Sequence, residues 1–311
     1  MNTLVTGSSG LIGTALTGRL EAGGHRVTRL VRHPSATGGG RRQGTADVSW
    51  DPDRGTLDRA ALERAGPFDA VVHLAGAGIG DKRWSPARKQ VILRSRTAST
   101  SLLVDAVVEL TPPPPVLVSA SAVGYYGDRG DEVLTERSAP GSGFLAEVCS
   151  VWEAAAAPAV DAGIRTVLLR TGIVLSADGG VLGRQLPLFR LGLGGRIGSG
   201  HQYRSWITLE DEISVILACI EDTGLSGPVN ATAPHPVTDA ELARALGAAL
   251  HRPVVLAVPG AALRLALGSE MATELVLGGQ RVLPDVLQTR GFAFAHAEMD
   301  QAVRSVLAAG R

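Results

Sequence analysis

Cysteine is nearly missing from this chain: Cys149 and Cys219 are the only two among 311 residues. They make no disulfide framework, and neither stands in a C-x-x-C metal pair, so a reduced, cytoplasmic protein without a metal centre is expected. Lysine is equally scarce, with Lys82 and Lys89 the only two, and aromatic residues make up 4%. The arginine excess, with abundant Ala and Gly, reads as genomic base composition rather than function. Net charge is absent too, 30 basic residues against 30 acidic ones, with a pI of about 7.1. No basic surplus marks a phosphate-backbone partner, so no nucleic-acid partner is expected. No apolar run reaches membrane length, and no apolar leader follows a charged start, so neither a membrane partner nor a secretory signal is expected.

What is present is a large apolar fraction, 45%, enough for one big α/β domain or a domain with a smaller lobe. Short apolar runs at 3–6, 27–31, 70–75, 116–119 and 166–169 alternate with helical stretches such as 11–22, 86–110 and 144–162. Strands spaced by helices predict an α/β fold, a Rossmann-type doubly wound parallel sheet whose ligand sits beyond the carboxyl ends of the strands. After Arg170 the rhythm changes. A Gly-rich stretch at 191–200 precedes a strand and helix around 205–220, a strand near 229–231, a helix at 239–250 and an apolar segment at 254–258. The boundary is placed at 172, with 173–311 completing the sheet and forming a small substrate lobe.

The segment 7–13, GSSGLIG, lies between the first strand and the first helix. Its first glycine permits a tight turn, its second a close backbone approach to a pyrophosphate, and its third the packing of helix on strand. Free N–H groups at the helix start favour the diphosphate. The motif's position between strand and helix makes it a dinucleotide site rather than a chance glycine triplet. The second strand, 27–31, ends in Arg32, and no acid occurs between Glu21 and Asp47. A guanidinium suits a 2′-phosphate, where an NAD site would place Asp or Glu, so NADP(H) is expected. Arg41 and Arg42, in a Gly/Arg-rich loop, add either charge at that site or only a solvated surface. The next strand runs into Leu74, Ala75 and Gly76, small enough to let adenosine lie against backbone or simply to pack. His73 falls inside the apolar run and is read as a core histidine.

Further segments occur in a particular order. DKRW at 81–84, SASAVGYYG at 119–127, FLAEVCSVW at 144–152 and RTGIVL at 170–175 lead to PLFRLGLGGRIGSG at 187–200, SWI at 205–207 and GQRVLP at 279–284. With the N-terminal turn, they resemble end to end the atypical short-chain dehydrogenase/reductases known as the epimerase family, similar to nucleoside-diphosphate-sugar epimerases. The resemblance implies NADP(H) binding. Gly7, Gly10, Leu11 and Ile12 would wrap the pyrophosphate, Arg32 would meet the 2′-phosphate, and Leu74, Ala75 and Gly76 would line the adenosine side. Arg96, unless it is a plain surface arginine, would lie near the cofactor. Ser119, Ala120 and Leu169 would flank the nicotinamide. It also implies a possible homodimer through the helices 86–110 and 144–162.

The wider superfamily uses a Tyr-x-x-x-Lys pair, the lysine lowering the pKa of a phenol that is otherwise protonated at pH 7. Here no tyrosine occurs from Gly127 to Gln202 and no lysine after Lys89. What remains is Ser121, suited to orient a substrate hydroxyl, with Tyr125 and Tyr126 as loop phenols that serve as acid or merely pack. Glu147 is a substrate-orienting carboxylate, a base, or a surface carboxylate. Asp81, Lys82, Gln202, Arg204 and Trp206 are expected at the substrate side. Two functions stay open. One is an NADP(H)-dependent oxidoreductase or epimerase-like enzyme on a small polar molecule; the other is a non-catalytic NADP(H)-binding sensor or interaction protein.

Overall fold

The computed structural model describes residues 1–32 and 45–310; the loop carrying Arg41 and Arg42 lies outside them. The first strand, β1 (Asn2–Thr6), is buried along its whole length because it is central. On one side it pairs in parallel with β2 (Arg26–Val31), on the other with β5 (Ala70–His73). Outward from β2 lie β3 (Thr45–Asp51) and the short antiparallel β4 (Thr56–Leu57). Outward from β5 lie β6 (Val116–Ala122), β7 (Arg165–Thr171) and β8 (Gly227–Ala231), all parallel. The order β8-β7-β6-β5-β1-β2-β3-β4 reverses direction at β1. That reversal opens a crevice at the carboxyl end of β1.

Strand register sorts the core into two layers. Val5, Val72, Val118 and Val167 are successive neighbours on one face, and Leu4, Val71 and Leu117 on the other. The first face packs against Leu16 and Leu20 of α1 (Leu11–Ala22) and against Ile213 and Ile216 of α7 (Leu209–Glu221). The second packs against Leu62 of α2 (Arg59–Ala65) and against Leu103, Val104 and Val107 of α3 (Pro86–Val108). Each fully buried aliphatic side chain contributes roughly 1.5–3 kcal/mol, which is what holds both helical layers to the sheet.

The stretch 144–162 is not one helix. α4 (Phe144–Ala154) stops and α5 (Ala157–Asp161) restarts with Pro158 in its first turn, where a missing N–H is tolerated. Beyond residue 172 the chain supplies β8 and builds a third core around Leu182, Leu186 and Phe189 of α6 (Gly180–Arg190). Trp206, Leu242 and Leu246 of α8 (Asp239–Leu250), and Val303 of the helix Met299–Ala309, complete it. Among the described residues no helix is long and apolar enough to cross a membrane.

Candidate cofactor site

The turn after β1 is shaped by what cannot fit there. Gly7 takes a φ of 67°, and a Cβ on it would lie 2.7 Å from the carbonyl carbon of Leu74 and 2.9 Å from the nitrogen of Ala75. The turn therefore touches the backbone leaving β5. A Cβ on Gly13 would fall 2.2 Å from the Gly7 carbonyl oxygen, so the first turn of α1 rests on the loop itself. Gly10 caps the helix with no side-chain hydrogen bond to its first N–H groups, those of Leu11 and Ile12 included. A narrow backbone cradle with helix N–H groups at its rim suits an anionic diphosphate.

The two strand ends flanking the crevice are tied together. Thr6 Oγ1 accepts from the N–H groups of Leu74 (3.1 Å) and Ala75 (3.3 Å). Its own proton then goes to His73 Nδ1 at 2.7 Å, which leaves Nε2–H to donate to Thr100 Oγ1 at 3.0 Å. Burial pushes the His73 pKa down to about 3, so it is a neutral core residue, as its apolar run indicates. Gly76 lies against Arg96, whose Cζ is 3.4 Å from the point where a Cβ would stand. Arg96 donates to the carbonyls of Ala77 (3.0 Å) and Ile92 (3.1 Å) and stacks over Trp152. Burial lowers its pKa, and among the described residues no ion pair joins it to a carboxylate. Arg32 is exposed at the end of β2 and lies 3.2 Å from Asp53.

At the ends of β6 and β7 the side chains form one polar cluster. Ser121 Oγ donates to Glu153 Oε1 at 2.7 Å. Arg170 meets both oxygens of Glu153 at 2.8 Å and donates to the Tyr126 hydroxyl at 3.0 Å. That hydroxyl in turn donates to Asn230 Oδ1 at 2.7 Å. Tyr126 is fully enclosed, and burial pushes its phenol up to about 12 against the pull of Arg170. Tyr125 is half-buried, with its ring face 3.5 Å from the Arg170 guanidinium carbon. Ser119 and Leu169 are enclosed within their strands, while Ala120 is half-buried between Ser119 and Ser121.

Helix α4 turns Leu145, Cys149 and Glu153 toward this cluster, one turn apart. Leu145 and Cys149 pack under Gly124, and Glu153 accepts a hydrogen bond from Ser121. The first two of these positions have the spacing of a Tyr-x-x-x-Lys pair but hold an aliphatic group and a thiol. Burial pushes that thiol up to about 11, so it is not a thiolate at neutral pH. Glu147 lies on a different face, exposed, in an open groove of about 470 Å³ with Lys89, Ser142, Ser150 and Glu270. The sequence reading missed Glu153, the carboxylate that reaches the cluster.

Residues 3–231 match the NAD dependent epimerase/dehydratase family, and 258–306 match a domain of unknown function. The chain belongs to the NAD dependent epimerase/dehydratase family. It is 46% identical over 299 residues to an epimerase family protein of Mycobacterium bovis, covering 96% of this chain and 95% of that one. The crystal structure of human epimerase family protein SDR39U1 (isoform 2) with NADPH superposes with a TM-score of 0.87. The two are 34% identical, over 98% of this chain and 99% of that one. A nucleoside-diphosphate sugar epimerase from Corynebacterium glutamicum superposes with a TM-score of 0.78 at 37% identity, over 99% of this chain and 58% of that one. The family resemblance of the sequence motifs is thereby established.

In this epimerase-family chain the C-terminal lobe is latched to the sheet domain. Glu274 accepts from the N–H groups of Phe144 (2.9 Å) and Leu145 (2.8 Å), capping α4 from across the fold. Lys89 pairs with Glu270 at 2.6 Å. Arg204 is buried, bound to Asp239 at 3.0 Å and to the carbonyls of Val276 and Gly278. Gln202 donates to the Ile197 carbonyl, and Trp206 is fully buried with its N–H on the His235 carbonyl. Of the three, all expected at the substrate side, Arg204 and Trp206 are buried internal supports, and Gln202 is half-buried. Asp81 holds Arg184 of α6 at 2.8 Å, and Lys82 is exposed.

Proposed function

We propose that this chain binds NADP(H) at the crevice beyond β1 and acts as an oxidoreductase or epimerase-like enzyme on a small polar substrate. The cradle at Gly7 carries the reading: turn, strand end and helix start approach too closely for any side chain, which leaves bare backbone to face a pyrophosphate. The human relative solved with NADPH supports it. Gly7, Gly10, Leu11 and Ile12 hold the diphosphate, Arg32 the 2′-phosphate, and Leu74, Ala75 and Gly76 the adenosine side. Arg96, a half-buried cation that donates to two carbonyls and stacks over Trp152, offers its remaining donors to an anionic group of the same ligand.

NADP(H), when bound, supplies or takes up a hydride. Ser121, at the carboxyl end of β6 between Ala120 and Ala122, orients the substrate oxygen, and Glu153 fixes its hydroxyl. Ser119, Ala120 and Leu169 shape the strand ends beneath the nicotinamide. Tyr125, the less buried phenol, is the proton donor beside the Arg170 charge. Tyr126, protonated at neutral pH, keeps Arg170 in place. Glu147 orients polar substrate groups at the groove mouth.

A second reading, a non-catalytic NADP(H) sensor or interaction protein, is favoured by Leu145 and Cys149 standing at the Tyr-x-x-x-Lys spacing without a phenol or an ammonium. The deciding experiment titrates NADPH by fluorescence, then follows its oxidation with a panel of aldehydes, ketones and nucleotide sugars. Tight binding with substrate-dependent oxidation is expected. Tight binding without oxidation selects the sensor, and no binding sinks both.

A further inference from the structure

Arg32 does not stand alone at the end of β2. Its Nη2 lies 3.2 Å from Oδ2 of Asp53, in the turn joining β3 to β4. The turn is well braced. The Asp53 N–H donates to Asp51 Oδ1 at 3.0 Å, the Arg54 N–H donates to the Asp51 carbonyl at 3.1 Å, and Gly55 takes a φ of 65°. β2 and β3 are parallel neighbours with Val31 opposite Ser49, so their carboxyl ends deliver Arg32 and Asp53 to the same rim of the crevice. Arg54, the cation within the turn itself, is engaged by Asp51 at 3.6 Å.

We infer that Asp53 is a specificity-determining residue, which narrows the preference for NADP(H) over NAD(H) by competing with the 2′-phosphate for Arg32. The inference rests on the reading that Arg32 receives that phosphate. A phosphate monoester carries between one and two negative charges at neutral pH, and a ribose hydroxyl carries none. A carboxylate on the same guanidinium therefore repels the phosphorylated cofactor and tolerates the other, whose 2′-hydroxyl it can accept. Acidic discrimination thus enters this crevice from the β3–β4 turn, not from the second strand where NAD sites carry it. The Arg32 and Asp53 side chains are 57% and 66% exposed, so the effect is modest and falls with added salt.

The test measures dissociation constants of NADPH and NADH by calorimetry for the full chain, Asp53→Asn, Arg32→Ala and the double variant, at low and high salt. Asp53→Asn is expected to tighten NADPH about three- to fivefold while changing NADH less than about twofold, and the gain should vanish without Arg32. If Arg32→Ala leaves the NADPH preference intact, the 2′-phosphate reading falls and takes this inference with it. If Arg32→Ala erodes the preference but Asp53→Asn leaves it unchanged, or still tightens NADPH without Arg32, only the role of Asp53 is overturned.

Discussion

Glu153 grips the guanidinium of Arg170 at two points, 2.8 Å each, and its Oε1 also accepts the proton of Ser121 at 2.7 Å. The pair is buried, with the side chains 9% and 3% exposed, so β6, α4 and β7 converge on two charges that neutralise each other away from water.

Removing one partner strands the other. Arg170→Leu is expected to lower unfolding free energy by about 3–5 kcal/mol, because the Glu153 carboxylate loses its counter-charge. Replacing both residues with apolar ones should recover much of that loss. Urea unfolding of the two variants checks this, and a single-variant loss below about 1 kcal/mol would contradict it.

Gly13→Ala places a methyl group 2.2 Å from the Gly7 carbonyl oxygen. The turn must open, so NADPH affinity is expected to fall at least about tenfold, equivalent to roughly 1.4 kcal/mol. Calorimetry measures the affinity, and circular dichroism verifies that the rest of the fold persists. Gly18→Ala is the control, since none of the described residues lies within 4 Å of its Cβ position.

Glu212 has an alkaline signature. It is wholly buried, its Oε1 accepts from Thr171 at 2.9 Å, its Oε2 has no hydrogen-bond partner among the described residues, and burial pushes its pKa up to about 8 from an ordinary 4.5. The folded chain holds a proton that the unfolded chain releases, so this contribution to stability is full below pH 4.5 and is lost as pH rises to about 8. Glu212→Gln keeps an acceptor for Thr171 without the ionisation. Its advantage over the parent should grow from pH 5 to pH 8 by on the order of a few kcal/mol. A melting-temperature difference independent of pH would refute the assignment.

Ser121→Ala separates catalysis from binding. The expected stability change is about 1 kcal/mol, one hydrogen bond to a carboxylate that keeps Arg170, with NADPH affinity nearly unchanged. Once a substrate is in hand, kcat should drop about a hundredfold or more. An unaltered kcat removes Ser121 from the reaction.

The N-terminal turn was legible because its signals are local: glycines that must adopt one backbone shape, an apolar strand before them and a helical period after. The place of Arg32 at the end of β2 was legible for the same reason, yet its neighbour Asp53 was not. Asp53 arrives through β3, whose sequence alternates buried Val48 and Trp50 with polar Asp47 and Ser49 near the sheet edge, and so lacks an unbroken apolar run. Glu153 escaped for a related cause. Its meaning comes from Ser121, 32 residues away, and Arg170, 17 residues away, and only the packing angle of α4 decides that Glu153 rather than Glu147 turns inward. The missing Tyr-x-x-x-Lys pair could be read as an absence; that Leu145 and Cys149 fill the slot required the helix to be placed.

The cap that Glu274 sets on α4 makes the two halves of the chain mutually dependent for folding. A fragment of residues 1–172 would lose that cap, the outer strand β8 and the Asn230 acceptor of Tyr126 at once. Expressed alone it should be aggregation-prone, with an unpaired β7 edge. Supplied with 173–311 as a second polypeptide, it should regain a cooperative transition, which would make the protein a candidate for split-fragment complementation.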